Sequence, residues 1–179
     1  FKQALKTADE TRTGDASLYI GKVYVDLNNF SQARKYIAKA MEIGLKNEDQ
    51  YIISDGYYLL GRIDAFYGET DLAMIELMKS QSIKEELEDN QGIALACVQI
   101  GNLYLSKKNP LQAKKYFLLS REIALQIGAK YEMKDACMGL SNTFSYLNLF
   151  DSAYFYLNEY NKVYQELQSE EASKKLAEL

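Results

Sequence analysis

The stretch QIGNLYLSKKNPLQA, residues 99–113, carries the pattern that decides the fold. It places Gly101 inside an apolar helical pattern, where a glycine costs about 1 kcal/mol relative to alanine. It also places Ala113 twelve positions after that glycine. An unfavourable choice of this kind needs a compensating contact, and the same choice recurs elsewhere in the chain. Three further stretches align with it without gaps, and these are residues 19–33, 59–73 and 139–153.

The period of this pattern is forty residues. The small residue in the middle of the helix recurs as Gly21, Gly61, Gly101 and Ser141. The alanine that follows recurs as Ala33, Ala73, Ala113 and Ala153. A fixed period of this length is the sequence signature of a repeat architecture. Small side chains at both sites predict that two helices of each repeat pack with their backbones close together.

Each repeat is predicted to contain two amphipathic helices joined by a tight turn. The first helices are expected near residues 14–27, 54–67, 93–107 and 133–147. The second helices are expected near residues 30–47, 70–88, 110–127 and 150–170. Asn109 and Pro110 support one of these boundaries, because asparagine is a good N-cap and proline suits the first helical position. One proline and ten glycines leave few turn residues for a β fold, so the fold class is all-α.

The period also predicts the domain organisation. Four units are expected, at residues 11–50, 51–90, 91–130 and 131–167. Residues 1–10 are expected to end a preceding repeat's second helix, because Phe1 and Leu5 are in register with Met41 and Leu45. The fourth unit is interpreted as a cap, since Tyr160 occupies the site that Ala40, Ser80 and Ser120 hold in the other units. Residues 168–179 are interpreted as a connecting helix whose narrow apolar seam offers a contact for a homodimer.

The pattern resembles the tetratricopeptide repeat, whose first helix carries an L-G-x-x-Y core. Ile20-Gly21 with Tyr24 and Ile100-Gly101 with Tyr104 match that core, and Leu60-Gly61 matches it without the tyrosine. The resemblance implies an α-α superhelix, a solenoid of about four helical hairpins plus a C-terminal helical extension. The usual unit has about 34 residues, so a period of forty implies longer second helices, similar to those of kinesin light chains and bacterial regulatory proteins.

The charged segment 168–179 after lengthened repeats resembles the tetratricopeptide input regions of bacterial sensor histidine kinases and related regulators. That resemblance implies a regulatory or sensory module of a larger bacterial signalling protein. A stand-alone scaffold or adaptor that assembles a protein complex is the alternative. An input region of a sensor kinase would lie in the bacterial periplasm, whereas the alternative favours the cytoplasm.

The residues available for chemistry are few. The chain has no histidine, which removes the commonest general base and the commonest zinc ligand. Cys97 and Cys137 occupy the same site of neighbouring repeats, about 10 Å apart, which is too far for a disulfide. They are predicted to be buried thiols. Glycine-rich phosphate motifs are absent, and the acidic stretch 84–90 is interpreted as a solvated helix end. We therefore expect no enzyme, no cofactor and no metal site.

Net charge and hydropathy restrict the partners. The net charge of −4 argues against nucleic acid, since phosphate contacts supply most of that affinity. No apolar run approaches the roughly 18 residues needed for a membrane span. Several aromatic residues fall on repeat-core sites and are predicted to be core, namely Tyr24, Tyr57, Tyr104, Phe117 and Phe144.

The resemblance implies a protein or peptide ligand in a concave groove lined by the first helices. The site one position after the repeat glycine forms a polar ladder of Lys22, Arg62, Asn102 and Asn142. The groove is expected to be positive in its N-terminal half and to carry the exposed aromatic residues Tyr58, Phe66 and Tyr146. The other interpretation is that the ladder is polar simply because that face is solvated.

Overall fold

A computed structural model describes residues 2–177, with side chains from residue 9 onward. Within those residues the chain forms eight α-helices and no strand, which confirms the all-α prediction. The helices are α1 (Lys2–Asp26), α2 (Phe30–Asn47), α3 (Gln50–Phe66), α4 (Thr70–Glu86), α5 (Asn90–Ser106), α6 (Pro110–Ile127), α7 (Lys130–Tyr146) and α8 (Phe150–Ala177). They divide into two compact units, with α1–α4 in unit 1 and α5–α8 in unit 2.

The first helices of the second, third and fourth repeats begin three or four residues earlier than the periodicity predicted. Helix α3 begins at Gln50 because Asp49 is its N-cap, and the Asp49 carboxylate accepts hydrogen bonds from the backbone N–H groups of Tyr51 and Ile52. A cap of this kind satisfies N–H groups that have no partner within the helix. It precedes the first apolar residue of the pattern, so periodicity alone starts the helix too late.

The predicted break between residues 1–10 and the first unit was wrong. Helix α1 runs without interruption from Lys2 to Asp26. Phe1 lies outside the described residues, and so does the Leu5 side chain with its expected register. At the other end, α8 continues past its last buried residue, Leu167, to Ala177 as one helix. Residues 168–177, predicted to be a connecting helix, are therefore an extension of the last repeat helix rather than a separate element.

The turns inside the hairpins share one backbone conformation. A residue with positive φ occurs forty residues apart in all four hairpins, as Asn28, Gly68, Lys108 and Asn148. The N–H of the next residue then bonds a carbonyl five positions back, as from Asn29 to Tyr24 at 2.8 Å. This satisfies a carbonyl at the end of the helix. Only one of the four turns uses glycine, which explains how a chain with so few glycines forms them.

Each unit has its own apolar core. In unit 1 the buried cluster joins α1, α2 and α3 and consists of Val25, Phe30, Ala33, Ile37, Leu59 and Ile63. In unit 2 the buried cluster joins α5, α6 and α7 and consists of Val98, Ala113, Phe117, Ala136 and Leu140. Within each unit the second helix of one hairpin packs against the first helix of the next. The first helices of each unit thus share one face, which we call the first-helix face: α1 and α3 in unit 1, α5 and α7 in unit 2.

Candidate binding surface

Gly21 and Gly61 face a large side chain as well as the predicted alanine. A Cβ atom added to Gly61 would lie 2.7 Å from the Leu77 Cγ and 3.2 Å from the carbonyl oxygen of Ala73. At Gly21 the nearest atom belongs to Ile37, sixteen positions downstream, at 2.9 Å. The four alanines are all buried. At Gly21 and Gly61 the space that the glycine leaves is thus filled mainly by the larger residue.

The fourth repeat shows how little room the site offers. Ser141 replaces the glycine, and its hydroxyl donates a hydrogen bond to the carbonyl oxygen of Ala153 at 3.0 Å. A hydroxyl fits because the backbone of the second helix accepts it, so the polar atom is satisfied although Ser141 is buried.

Helix α6 carries the largest residue at the facing site. Phe117 is fully buried, and a Cβ at Gly101 would lie 2.7–2.9 Å from three atoms of its ring. Gly139 of α7, which is not a repeat glycine, faces the same ring even more closely. The bulk of a phenylalanine is therefore accommodated by glycines on two helices, and sequence reasoning missed the second.

In unit 1 the first-helix face brings together part of the predicted ladder. Arg62 on α3 donates a hydrogen bond to Asp26 on α1, with Nη2 and Oδ1 3.0 Å apart. Its guanidinium also lies 5.9 Å from the ring centre of Tyr58. Lys22 is exposed on α1. Because Asp26 offsets the charge of Arg62, this face is less positive than predicted, and Lys22 contributes most of its positive charge.

Phe66 does not stand alone on the face. Its ring centre lies 4.6 Å from that of Phe30 and 5.8 Å from that of Tyr67. The three rings form an aromatic cluster where α3 ends and α2 begins. Phe66 and Tyr67 are each at least 60% exposed. Packing at the hairpin end therefore explains part of the role of Phe66, while its outer surface stays accessible.

Unit 2 presents the amide half of the ladder. Asn102 on α5 and Asn142 on α7 are exposed, and Tyr146 is 52% exposed at the end of α7. Two apolar residues on the first helices, Val25 of unit 1 and Val98 of unit 2, are buried in the cores and add nothing to the exposed face.

The five aromatic residues predicted to be core are not equally buried. Phe117 is fully buried, whereas the other four predicted core aromatics are half-buried. Three hairpins stack an aromatic residue of the first helix on one of the second, with ring centres 5.4–5.6 Å apart. The pairs are Tyr24–Tyr36, Tyr104–Tyr116 and Phe144–Tyr156.

The second hairpin has carboxylic acids at both of these sites. Asp64, on α3, is 1% exposed, and it receives a hydrogen bond from Arg34 of α2. Glu76, on α4, stands at the facing site. Burial, together with a hydrogen bond to Asp64, raises the pKa of Glu76 to about 8. Sequence reasoning missed this pair, although the absent tyrosine after Gly61 was the available signal.

The acidic stretch 84–90 is not simply a solvated helix end. Lys84 is 4% exposed, and its ammonium donates hydrogen bonds to Asp55 at 2.5 Å and Asp89 at 3.1 Å. Among the described residues no group of three metal-ligating side chains occurs. The cation held by these carboxylates is thus a side chain of the protein.

Both cysteines are buried thiols, as predicted. Desolvation raises the pKa of Cys137 to about 11, despite the opposing effect of the nearby Arg121. A thiol that ionises only at such pH is a poor nucleophile.

A groove with a volume of about 270 Å³ lies between α6, α7 and α8. Its apolar walls are Ala124, Leu125, Met133 and Val163. On its rim Lys130 contacts Glu166 at 3.0 Å. Positive and negative side chains balance around this rim, so it selects no ligand by charge.

Comparisons with known proteins agree with this architecture. A tetratricopeptide repeat model matches residues 18–44 and 94–125. The chain is similar to a solved signal transduction ATPase with numerous domains from Pyrococcus horikoshii, which has a tetratricopeptide repeat sensor. The identity is 19% and the TM-score is 0.73, over 93% of this chain and 26% of that chain. The chain thus spans about a quarter of that protein's length.

The solved structure of Pseudomonas aeruginosa pilF is also similar, with 16% identity over 90% of this chain and 99% of that chain, at a TM-score of 0.36. No curated protein sequence matches the chain.

The two matched segments coincide with the first hairpin of each unit, α1–α2 and α5–α6. Together with the forty-residue period and the hairpin packing, they show that these hairpins have the fold of tetratricopeptide repeats. This fold is that of a protein–protein interaction module. Between residues 2 and 177, none of the helices combines the length and apolarity required to cross a bilayer.

Proposed function

We propose that the chain is the peptide-recognition part of a larger signalling protein and that its ligand binds on the first-helix faces. The observation that carries the proposal is the exposure of Lys22, Asn102 and Asn142 at one repeat position. The ammonium group of Lys22 on unit 1, and the two amide groups of Asn102 and Asn142 on unit 2, supply hydrogen-bond donors for the backbone carbonyls or carboxylates of a peptide. Phe66 and Tyr146 add exposed apolar surface to these faces, whereas Tyr58, predicted to be exposed, is half-buried against the core of unit 1.

The signalling part of the proposal draws on the Pyrococcus protein, in which the tetratricopeptide repeats are described as a sensor. The exposed extension of α8 beyond Leu167 supplies an element through which a binding event would be transmitted. Leu176 is 74% exposed on this extension. We assign it to a homodimer contact, because pairing two such helices would cover an apolar residue that the single chain leaves in water.

Peptide binding is tested with displayed libraries of random twelve-residue peptides selected on the whole chain. Affinity of the selected peptides is then measured by titration for Lys22→Glu and for the double variant Asn102→Ala/Asn142→Ala. We expect at least one of them to bind about tenfold more weakly, the loss of one or two good hydrogen bonds. Lys39→Glu, an exposed change on α2, is the matched control and should bind normally. Equal affinity in all variants would exclude the first-helix faces.

The two roles, sensor and scaffold, differ in what happens to α8. Amide hydrogen exchange is measured with and without a selected peptide. A sensor should change the protection of the α8 extension, because the binding energy must bias that element to send a signal. A scaffold or adaptor should change protection only around the peptide.

A further inference from the structure

The second hairpin differs from the other three at the centre of its helix–helix contact. At the site where the others stack two rings, α3 presents Asp64 and α4 presents Glu76. In both units a basic side chain of the preceding second helix contacts this site. Lys114 of α6 lies 5.8 Å from the ring centre of Phe144, and Arg34 of α2 donates a hydrogen bond to Asp64 at the equivalent position. The substitution therefore keeps the geometry of the site and changes its chemistry.

One oxygen of each carboxyl group lacks a conventional donor. The Oδ2 atom of Asp64 and the Oε2 atom of Glu76 are buried, and neither receives a hydrogen bond from a nitrogen or hydroxyl group. Two carboxylates that face each other in one helix contact resist ionising together when their oxygens are shielded from water, because their repulsion adds to the cost of desolvation. A single proton between the two groups removes the repulsion and gives both oxygens a partner.

The charged groups around Glu76 in unit 1 do not replace this proton. Arg34, from α2, is committed to Asp64. Lys79, on α4 itself, lies over the ring of Tyr57 at 5.1 Å. Both cations lower the pKa of Glu76, but burial, the hydrogen bond to Asp64 and the charge of Asp64 raise it more.

We infer that Asp64 and Glu76 share one proton across the α3–α4 contact, and that loss of this proton loosens α4 from α3. The unprotonated pair leaves two negative charges at the centre of the hairpin with one guanidinium to balance them. The second hairpin is therefore a proton-sensitive element, whereas the other three hairpins stack two rings at the same site.

The direction of the pH effect follows from the raised pKa. In the unfolded chain Glu76 ionises near 4.5, and in the folded chain near 8. The folded state alone keeps the proton between these values, so this contribution to stability is complete below about pH 4.5 and is lost as the pH rises to about 8. Loosening of the folded state itself begins only as the pH passes the upper value.

The test measures the carbon chemical shift of the Glu76 carboxyl group by NMR between pH 5 and 9. We expect a midpoint near 8 in the whole chain. A midpoint below pH 6 would overturn the inference. This measurement needs no variant, so it decides the protonation state even if substitutions at the site prevent folding.

A second measurement tests the loosening. Glu76→Gln keeps a donor for Asp64 but cannot ionise, and amide exchange of α4 is compared between this variant and the unaltered chain at the same pH. We expect similar exchange at pH 4.5, where both states keep the proton, and at least tenfold faster exchange in the unaltered chain at pH 9, where the contribution of the proton is lost. Glu86→Gln, an exposed change on the same helix, is the control and should behave like the unaltered chain. Equal exchange at pH 9 would overturn the conformational part.

Discussion

A glycine in a helix is explained here by the residue it faces. Gly101 loses helix propensity, but it admits the ring of Phe117 to a place that any Cβ would occupy. The ring is fixed from two sides because Gly139 faces it as well. At Gly21 the added atom would meet one atom of Ile37 at 2.9 Å, and the next nearest atom lies 3.4 Å away. A methyl group added at Gly101 should therefore be less well tolerated than one added at Gly21.

Gly101→Ala should destabilise the chain by about 1–2 kcal/mol, because overpacking of a buried ring outweighs the gain of about 1 kcal/mol in helix propensity. Gly21→Ala should cost less. Both are measured by urea unfolding. In a Phe117→Val background, where the ring atoms are gone, the Gly101→Ala cost should shrink. Gly101→Ala as stable as the original, or equally costly in both backgrounds, would refute the ring contact.

At the scale of the helix, the ends of the second helices are stabilised unequally. The side chains of Asn29 and Asn109 accept hydrogen bonds from the backbone at the start of α2 and α6. Helix α4 has Glu69 at the same position, without a side-chain cap bond. The backbone of Glu69 has φ −74° and ψ 61°, and that of Asn29 has φ −90° and ψ 69°. An asparagine therefore fits at position 69 without strain.

Glu69→Asn is expected to stabilise the chain by about 0.5–1 kcal/mol, since it supplies an acceptor for an N–H group in the first turn of α4. Asn109→Ala is the opposite change and should cost about 1 kcal/mol. The free energy of unfolding in urea measures both. A loss of stability in Glu69→Asn would show that Glu69 has a compensating role at its helix end.

At the scale of the whole molecule, the chain has two units with separate cores. The last helix of unit 2, α8, continues beyond that unit's core. The side chains of residues 168–177 are all exposed, whereas Leu167 is 6% exposed. Residues without buried contacts add little to folding stability. The extension is thus available for an intermolecular role, which we assign to a second copy of the chain.

Leu176→Lys should convert a dimer into a monomer, as measured by sedimentation velocity, because a charge on the apolar seam opposes helix pairing. Its melting temperature at low protein concentration should be unchanged. Lys174→Glu alters the charge on the opposite side of the same helix and is the matched control. A monomer before any substitution, or a dimer that survives Leu176→Lys, would remove the proposed contact.

The sequence by itself determined the all-α class, the forty-residue period, the small-residue sites and the resemblance to the tetratricopeptide repeat, because helix periodicity and glycine placement are local properties of the chain. The binding residues stay predictions, although the period also identified the repeat position that they share. Only the tertiary structure decided that Phe117 lies between two glycines, that Asp26 offsets Arg62, and that α1 is unbroken. It also placed Asp64 against Glu76. Contacts of this kind depend on the rotation and separation of packed helices, which a repeat period does not specify.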